Sequence, residues 1–420
     1  MPRRASGSTY RWVCLGVLFL SGFLAFAIRL APAVALPDLQ AAFGLTAAEL
    51  GLLTSVYLWP FAFMQPGAGM LADRLGSRWS ASGFLLIAGV GQLLLAVAPS
   101  FPLALVGRAL TGVGTSILYV AAAKIMAAWF RPREFGTLTG AWTSFANLGG
   151  IAAAAPLAVL VSLLGWRASF AAMGVAVLGT AVLVAGIVRG RPADLGWPSP
   201  PPANPVGFLE SLRIVLRVPN TWLLGGYAFL LFGTMTMMQG LWAVPYLMEA
   251  NGLTRQEAAN VLTLWAVGLI GGCTLWGYIA DRVVKTRKGV ICAGAVLYAL
   301  LWALLAFASE GLPAAVLPLA MFWGGFFAST WIPSYAQLKD SVPSGVVATA
   351  MGVLNFFFWL GGAVHQQISG LILAEFPKLN GNTPVAAYQA VFWFCVGSVG
   401  LSIVFVALST EHRPRPSTVT

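Results

Sequence analysis

Apolar residues along this chain come in long runs that are separated by short polar segments. Twelve such runs are close to the roughly 20 residues that an α-helix needs to cross the hydrocarbon core of a bilayer. They cover 12–36, 50–70, 80–98, 102–124, 136–162, 168–188, 220–246, 259–280, 289–308, 313–336, 346–373 and 388–409. Backbone groups in lipid must pair within their own segment, so these runs predict an all-α membrane protein with twelve transmembrane helices.

Composition and charge placement agree with a membrane protein. Hydrophobic residues make up 59% of the chain and charged residues only 9%, whereas a soluble domain has about 25% charged residues. With the N-terminus inside, the predicted outer loops contain only Arg167, Arg255 and Lys378 among the Lys and Arg residues. This asymmetry is the positive-inside bias, so we expect both termini to be cytoplasmic at a bacterial-type inner membrane. The net charge of +11 therefore reflects topology, and we expect no nucleic-acid partner.

A polar, proline-rich stretch divides the predicted spans six and six. Its composition is that of a loop that stays outside lipid. We expect a first six-helix bundle at 1–190, a cytoplasmic linker at 191–219, and a second six-helix bundle with a short cytoplasmic tail at 220–420.

An internal repeat relates the two halves. At a constant offset of 208 positions, identical residues coincide at Pro37 and Pro245, Gly44 and Gly252, Thr46 and Thr254, Glu49 and Glu257, and Asp73 and Asp281. Each Thr and the Glu three residues later predict a capping box that starts the second helix of its half. Parallel repeats of this kind place one substrate site between two bundles, near the middle of the membrane.

The loop after the second predicted span has a recurrent motif. Its residues are Gly69, Asp73, Arg74, Gly76 and Arg78, its reduced copy is Gly277, Asp281 and Arg282, and the fourth span adds Arg108, Gly112 and Gly114. These motifs resemble those of the major facilitator superfamily, which implies two pseudo-symmetric six-helix bundles. The resemblance also implies that the loop and its copy form a gate that latches the outward-facing state. The alternative is a tight polar turn that anchors the topology.

A narrower resemblance begins at the first span. Its residues are Arg29, Ala33-Val34-Ala35, Pro37, Phe43 to Thr46, Gly51 and Tyr57, followed by Trp129-Phe130 and Glu134. They are similar to organic anion transporters of the anion:cation symporter and organophosphate antiporter type, which implies that Arg29 binds a carboxylate or phosphate. Many of these relatives have an Asp immediately before that Arg as a proton-coupling group, and this chain has Ile28.

The charged residues inside the predicted spans are all cations: Arg29, Arg108 and Lys124. All 13 Asp and Glu residues fall in predicted loops or at span ends. A charge near the bilayer centre costs at least ~2.5–3.5 kcal/mol, so these cations must face a cavity or a partner. Without an acid nearby, an anionic ligand is the natural partner, and the guanidinium fork suits a carboxylate or phosphate.

The depth of these residues predicts a site between the bundles. At ~1.5 Å per residue, Arg29 and Arg108 both lie roughly 7–8 Å from the midplane on the same side. The predicted substrate-binding residues are Arg29, Tyr57, Arg108 and Lys124 from the first half, and Gln239, His365 and Gln366 from the second. Other roles stay open: Arg108 could be structural, Lys124 could extend to the cytoplasm, and His365 could shuttle a proton or join two helices.

These observations predict a secondary transporter that works by alternating access on a small organic anion, by exchange or with a co-transported proton or cation. The alternatives are an exporter of drugs or metabolites, although Gly149-Gly150 and Ala155-Pro156 match the drug-antiporter motif poorly, and a non-transporting sensor. No nucleophile–base motif, nucleotide-binding loop or metal-ligand spacing of the four cysteines occurs. We therefore expect no enzyme activity, cofactor or metal, and a monomer in the lipid bilayer.

Overall fold

The computed structural model describes residues 9–195, 207–308, 315–378 and 382–411, and almost all of them are helical. The helices of the first half are α1 (Tyr10–Phe43), α2 (Ala47–Met64), α3 (Ala68–Leu75), α4 (Ser77–Val97), α5 (Phe101–Thr115), α6 (Leu118–Trp129), α7 (Pro132–Ala152) and α8 (Ala155–Ile187).

The helices of the second half repeat this order with more irregular turns. They are α9 (Phe208–Leu216), α10 (Pro219–Met237), α11 (Ala243–Pro245), α12 (Arg255–Tyr278), α13 (Arg287–Ala308), α14 (Val316–Ala328), α15 (Ile332–Lys339), α16 (Val347–Ala374) and α17 (Val385–Leu408). Short π-helical turns occur at Met238–Trp242 and Tyr246–Ala250, both within the rod Pro219–Ala250, and at Ile279–Val283, at the end of the rod Arg255–Val283. Helix α9 lies inside the predicted linker, of which residues 196–206 are outside the described ranges.

Eleven helical rods in the described ranges are long and apolar enough to cross a membrane. The predicted number of twelve is not reproduced as such, and the difference lies at the fifth and sixth predicted spans. The fifth span, predicted at 136–162, is divided between α7 and the beginning of α8. Gly165 then interrupts α8, because its backbone angles of φ 77° and ψ 160° are not helical. The fifth and sixth predicted spans are therefore joined by a kink at Gly165 rather than by a loop, and the end of the fifth and nearly all of the sixth belong to the single helix α8.

The repeat is visible in the local geometry of both halves. Gly44 ends α1 with φ 66°, and Gly252 has φ 70° at the corresponding place. This left-handed conformation strains any residue with a Cβ, so glycine at the helix end has a structural reason. Both predicted capping boxes form: the backbone N–H of Thr46 donates to Glu49 at 2.8 Å, and that of Thr254 donates to Glu257 at 2.9 Å.

Helices within each half pack closely where glycine removes the side chain. A Cβ at Gly149 of α7 would lie 1.9 Å from the carbonyl oxygen of Phe23 on α1, and one at Gly325 of α14 would lie 2.0 Å from that of Trp265 on α12. A glycine also permits close packing between the two halves, since a Cβ at Gly51 of α2 would lie 2.6 Å from the carbonyl oxygen of Gln366 on α16.

Contacts between the halves are made by α2 with α16, by α1 with the turn Met238–Trp242, and by α12 with α7 and α8. Near the end of α1, Asp38 forms an ion pair with Arg255 at 2.8 Å. Beside it, the side chain of Gln256 donates to the carbonyl oxygen of Ala155 at 3.4 Å. These contacts hold the two halves together around a polar region near the middle of the helices.

Substitution of Gly149 by alanine should destabilise the protein, because the new Cβ would collide with backbone rather than with a movable side chain. Overpacking of this kind costs about 1–3 kcal/mol. Gly140→Ala on the same helix is the matched control, because nothing lies within 4 Å of its added Cβ. Thermal unfolding of the purified proteins checks this, and equal melting temperatures for the two variants would contradict the packing of α1 on α7.

Candidate functional site

Arg29 lies on α1 and faces the second half of the protein. Its guanidinium carbon is 4.3 Å from the ring centre of Phe26 and 4.9 Å from that of Trp359, which belongs to α16. The Nε atom of Arg29 is buried and has no hydrogen-bond partner among the described residues. The aromatic rings therefore supply cation–π attraction, worth about 0.5–2 kcal/mol, while part of the donor capacity of the guanidinium remains unused.

Arg108 and Tyr57 form the neighbouring wall. Arg108 is only 2% exposed, and it donates hydrogen bonds to the carbonyl oxygens of Ile28 at 3.4 Å and Leu53 at 3.5 Å. Its guanidinium carbon lies 4.7 Å from the ring centre of Tyr57, and the Tyr57 hydroxyl shares a 2.6 Å hydrogen bond with Thr115. Arg108 thus ties α1, α2 and α5 together beside the predicted site.

A small cavity joins these residues to the second half. Its lining comprises Arg29, Leu30, Thr54, Tyr57, Leu58 and Arg108 from the first half, and Thr236, Gly240 and Gln366 from the second. The cavity volume is about 10 Å³, which is space for roughly one water molecule. An organic anion therefore requires the halves or the lining side chains to move apart before it can bind.

The second half contributes uncharged polar groups to this cavity. Gln366 donates from Nε2 to the carbonyl oxygen of Thr236 at 3.2 Å, and its Oε1 atom is buried without a partner. Thr236 stands at the repeat position of Ile28, immediately before Met237, the repeat partner of Arg29. The repeat therefore could have indicated Thr236, which the sequence analysis missed, whereas Gly240 enters the lining through tertiary packing alone. The sequence analysis also missed the contact of Trp359 with Arg29, which follows from the packing of α16.

Arg29 and Arg108 have no acidic partner in the described part of the chain. The ion pairs there are Arg11 with Glu134, Lys124 with Asp73, Arg255 with Asp38, and Arg287 with both Asp281 and Asp340. The cavity is therefore bordered by two guanidinium groups that only carbonyl dipoles and aromatic rings balance. Such a wall favours an anion and disfavours a cation.

The structure places three predicted site residues away from this cavity. Lys124 contacts the motif loop instead, with Nζ 2.6 Å from Asp73 and 2.5 Å from the carbonyl oxygen of Gly69. His365 lies inside the second half, where its ring nitrogens contact the carbonyl oxygen of Gly361 at 2.8 Å and the hydroxyl of Ser398 at 2.6 Å. Gln239 lines a separate, adjacent cavity.

The motif loop after α2 forms a short helix and a tight turn. Helix α3 contains Gly69, Asp73 and the exposed Arg74, and Gly76 ends it with φ 79°. Arg78 then donates from Nε to the carbonyl oxygen of Ala185 on α8 at 2.9 Å. The loop is thus fastened to α6 through Asp73 and Lys124, and to α8 through Arg78.

The copy of the motif in the second half has a different partner. Asp281 accepts a 3.0 Å hydrogen bond from Arg287, which also contacts Asp340. Gly277 lies one turn before Asp281, and Arg282 is exposed. Both loops therefore use an Asp to bind a cation from a following helix, although the cation is Lys124 in one half and Arg287 in the other.

Comparison with known proteins agrees with this fold. The family model of the Major Facilitator Superfamily matches residues 18–365 and 227–420, so the chain belongs to this family of membrane transport proteins. A probable sulfoacetate transporter from Cupriavidus necator is 26% identical over 86% of this chain and 87% of its own length. The glycerol-3-phosphate transporter from Bacillus subtilis is 27% identical over 95% of this chain and 93% of its own length.

A solved structure supports the same architecture. The crystal structure of a bacterial homolog of the human lysosomal transporter Spinster, in an inward-facing and unoccupied conformation, superimposes with a TM-score of 0.75. The two chains share 18% sequence identity, and the match covers 96% of each. The chain is therefore an integral membrane protein with the major facilitator fold.

From the position of His365 we predict that its hydrogen bond to Ser398 stabilises the packing of α16 on α17 and has no role in ligand binding. Ser398→Ala should lower the free energy of unfolding by about 1 kcal/mol and leave the affinity for a transported anion unchanged. Ser402→Ala on the same helix is the control, since the Ser402 hydroxyl bonds only its own helix, at Val399. Unfolding and uptake measured on both variants check this; a selective loss of anion affinity in Ser398→Ala would place His365 in the site.

Proposed function

We propose that this protein is a secondary transporter of small organic anions and that Arg29 binds the anionic group of the substrate. The observation that supports this most strongly is the buried Nε atom of Arg29, which lacks a partner beside a cavity without acids in the described residues. A carboxylate, sulfonate or phosphate would accept charge-assisted hydrogen bonds from the Arg29 guanidinium and so supply the partner that its Nε atom lacks. Arg108 and Tyr57 form the wall that keeps the potential positive.

The relatives support the substrate class. The two that are described above are named for sulfoacetate, which carries a sulfonate and a carboxylate, and for glycerol 3-phosphate, which carries one phosphate and two hydroxyl groups. Their anionic groups differ, and the shared property is negative charge on planar or tetrahedral oxygen atoms. A guanidinium can bind either geometry with two parallel hydrogen bonds.

Transport by alternating access agrees with the small cavity volume. We propose that the ion pair between Asp38 and Arg255 closes the outer side, with both termini in the cytoplasm of a bacterial-type inner membrane. The halves at 1–190 and 220–420 would move about the cavity, joined by the linker at 191–219, in a protein that acts as a monomer. Because Ile28 replaces the usual acid, we propose anion exchange, or symport with a proton or cation bound outside this cavity.

We further propose that the motif loops form the gate on the cytoplasmic side. Lys124 would belong to the gate rather than to the substrate site, because it contacts Asp73 and Gly69. In the second half the gate would include Arg287, which bridges Asp281 and Asp340.

Replacement of Arg29 tests the anion hypothesis. In proteoliposomes, Arg29→Ala should reduce uptake of sulfoacetate or glycerol 3-phosphate at least about tenfold, because one lost charge-assisted hydrogen bond costs roughly 1.5–3 kcal/mol. Arg29→Lys should retain more uptake, since the charge stays while the two-pronged geometry is lost. Arg213→Ala, which removes an exposed cation from α9, should behave like the wild type.

Two outcomes would contradict the hypothesis. One is anion uptake that is unchanged in Arg29→Ala at equal protein incorporation. The other is a wild-type protein that prefers cationic dyes to both anions, which would favour the exporter alternative.

Replacement of Asp73 or Lys124 tests the gate. Asp73→Asn and Lys124→Gln should each slow exchange about tenfold, equivalent to ~1.4 kcal/mol in the barrier, with little change in stability because the Asp73 side chain is 61% exposed. The double variant should be no slower than either single variant if the two residues act as a pair. Asp194→Asn, at an exposed carboxylate, is the control; independent, multiplying effects of the two gate variants would contradict the pairing.

A further inference from the structure

The cavity beside Arg29 has a neighbour that the proposed function leaves unused. This second cavity is lined by Leu30, Ala33, Gly150, Ala153, Ala154, Gln239, Leu262, Thr263 and Ala266. It lies between α1, α7, α12 and the π-helical turn after α10, and its volume is about 10 Å³. We call it the tail chamber and the cavity of Arg29 the head chamber.

Leu30 separates the two chambers. It is the residue that lines both, and it is 8% exposed. A Cβ built at Gly150, in the tail chamber, would lie 3.1 Å from Leu30 Cδ1, and one built at Gly240, in the head chamber, would lie 3.9 Å from Leu30 Cδ2. The two methyl groups of one side chain therefore face opposite chambers. A change of the Leu30 rotamer would join the chambers without any movement of the backbone.

Gln239 supplies the tail chamber with a polar group. Its side chain is 7% exposed, and in the described residues it makes no hydrogen bond. Its amide atoms are not among the fully buried atoms that lack a partner, so they border the space of the chamber, where they can hydrogen-bond to a polar group of a ligand. Gln239 also lies in the π-helical turn Met238–Trp242, and such turns are frequent at functional sites because they redirect side chains.

The remaining walls limit what the tail chamber can hold. Ala33, Gly150 and Ala266 present small apolar surfaces, and the Thr263 hydroxyl is already bonded to the carbonyl oxygen of Ala259 at 3.0 Å. The chamber has no charged lining residue. Its chemistry suits a short uncharged segment with one hydroxyl or carbonyl group for Gln239 and disfavours a second charge, so both charged groups of sulfoacetate would have to stay in the head chamber, beside Arg29 and Arg108.

We propose that Leu30 and the tail chamber determine which anions are accepted, by length and by the polarity of the end remote from the charge. This proposal rests on the proposed anion transport. The anionic group would bind at Arg29 in the head chamber, and the uncharged end would pass Leu30 to reach Gln239. The substrate class is then a short-chain organic anion with one uncharged polar group at its far end.

The selection by length and polarity can be tested by competition, in which two series of compounds inhibit the uptake of glycerol 3-phosphate into proteoliposomes. One series runs from acetate to hexanoate, each with its ω-hydroxy acid from glycolate onward, and the other runs from methyl to butyl phosphate. Leu30→Ala removes the side chain that separates the chambers. The ratio of the inhibition constant of the shortest member to that of the longer members should therefore rise at least about tenfold. Ala266→Leu fills the tail chamber from the wall remote from Arg29 and should weaken the longer members by a similar factor. Leu36→Ala, a buried leucine of α1 that lines neither cavity, should leave the length profile unchanged.

Gln239→Leu isolates the polar contact. It should abolish the preference for an ω-hydroxy acid over the matching unsubstituted acid and leave the smallest anions unaffected. If Leu30→Ala and Ala266→Leu shift all probes equally, or Gln239→Leu keeps the hydroxyl preference, the tail chamber does not select the substrate. Such a result leaves anion transport itself intact, whereas a wild-type protein that no anion inhibits would overturn the proposed function.

Discussion

The structure is organised around two guanidinium groups, the half-buried Arg29 and the buried Arg108, which lie among the helices without a carboxylate partner in the described residues. A charge at such depth costs at least ~2.5–3.5 kcal/mol, and the protein offsets this cost differently at the two residues. Arg108 donates to the carbonyl oxygens of Ile28 and Leu53, so its role includes holding three helices together. In the described residues, the rings of Phe26 and Trp359 lie beside the Arg29 guanidinium and its Nε atom has no partner, so Arg29 is the group at which we propose that an anion binds.

This imbalance exists in one half only, although both halves share a scaffold. The positive φ of Gly44 and Gly252 and the two capping boxes show that the repeat extends to the backbone. The repeat position of Arg29 is Met237, and the second half instead offers the amide of Gln366 and the carbonyl oxygen of Thr236. In the described residues, the first half therefore lines the cavity with cations and the second half lines it with uncharged groups. Because an anion would be held from both sides, movement of one half against the other could both bind and release it.

Much of this could be predicted from sequence because it depends on local patterns. Apolar runs predict spans, a Thr followed by Glu predicts a helix start, and an arginine in an apolar run without acids predicts an anion site. The features that escaped prediction depend on tertiary packing. The ion pair of Lys124 with Asp73 depends on how α3 folds back on α6. A bond from His365 to a neighbouring helix is among the interpretations of the sequence, but its partner Ser398 depends on which face of α16 meets α17. The bend at Gly165 likewise joins two apolar runs that composition alone separates.

We expect the positive wall formed by Arg29 and Arg108 to select the ligand by charge. Equilibrium binding to the purified protein, followed by titration calorimetry, tests this most directly when each anion is paired with a neutral compound of nearly the same shape. We expect glycolate and glycerol 3-phosphate to bind measurably, and glycolamide and glycerol not to bind in the same concentration range. Binding of the neutral compounds with affinities equal to those of the anions would contradict the account.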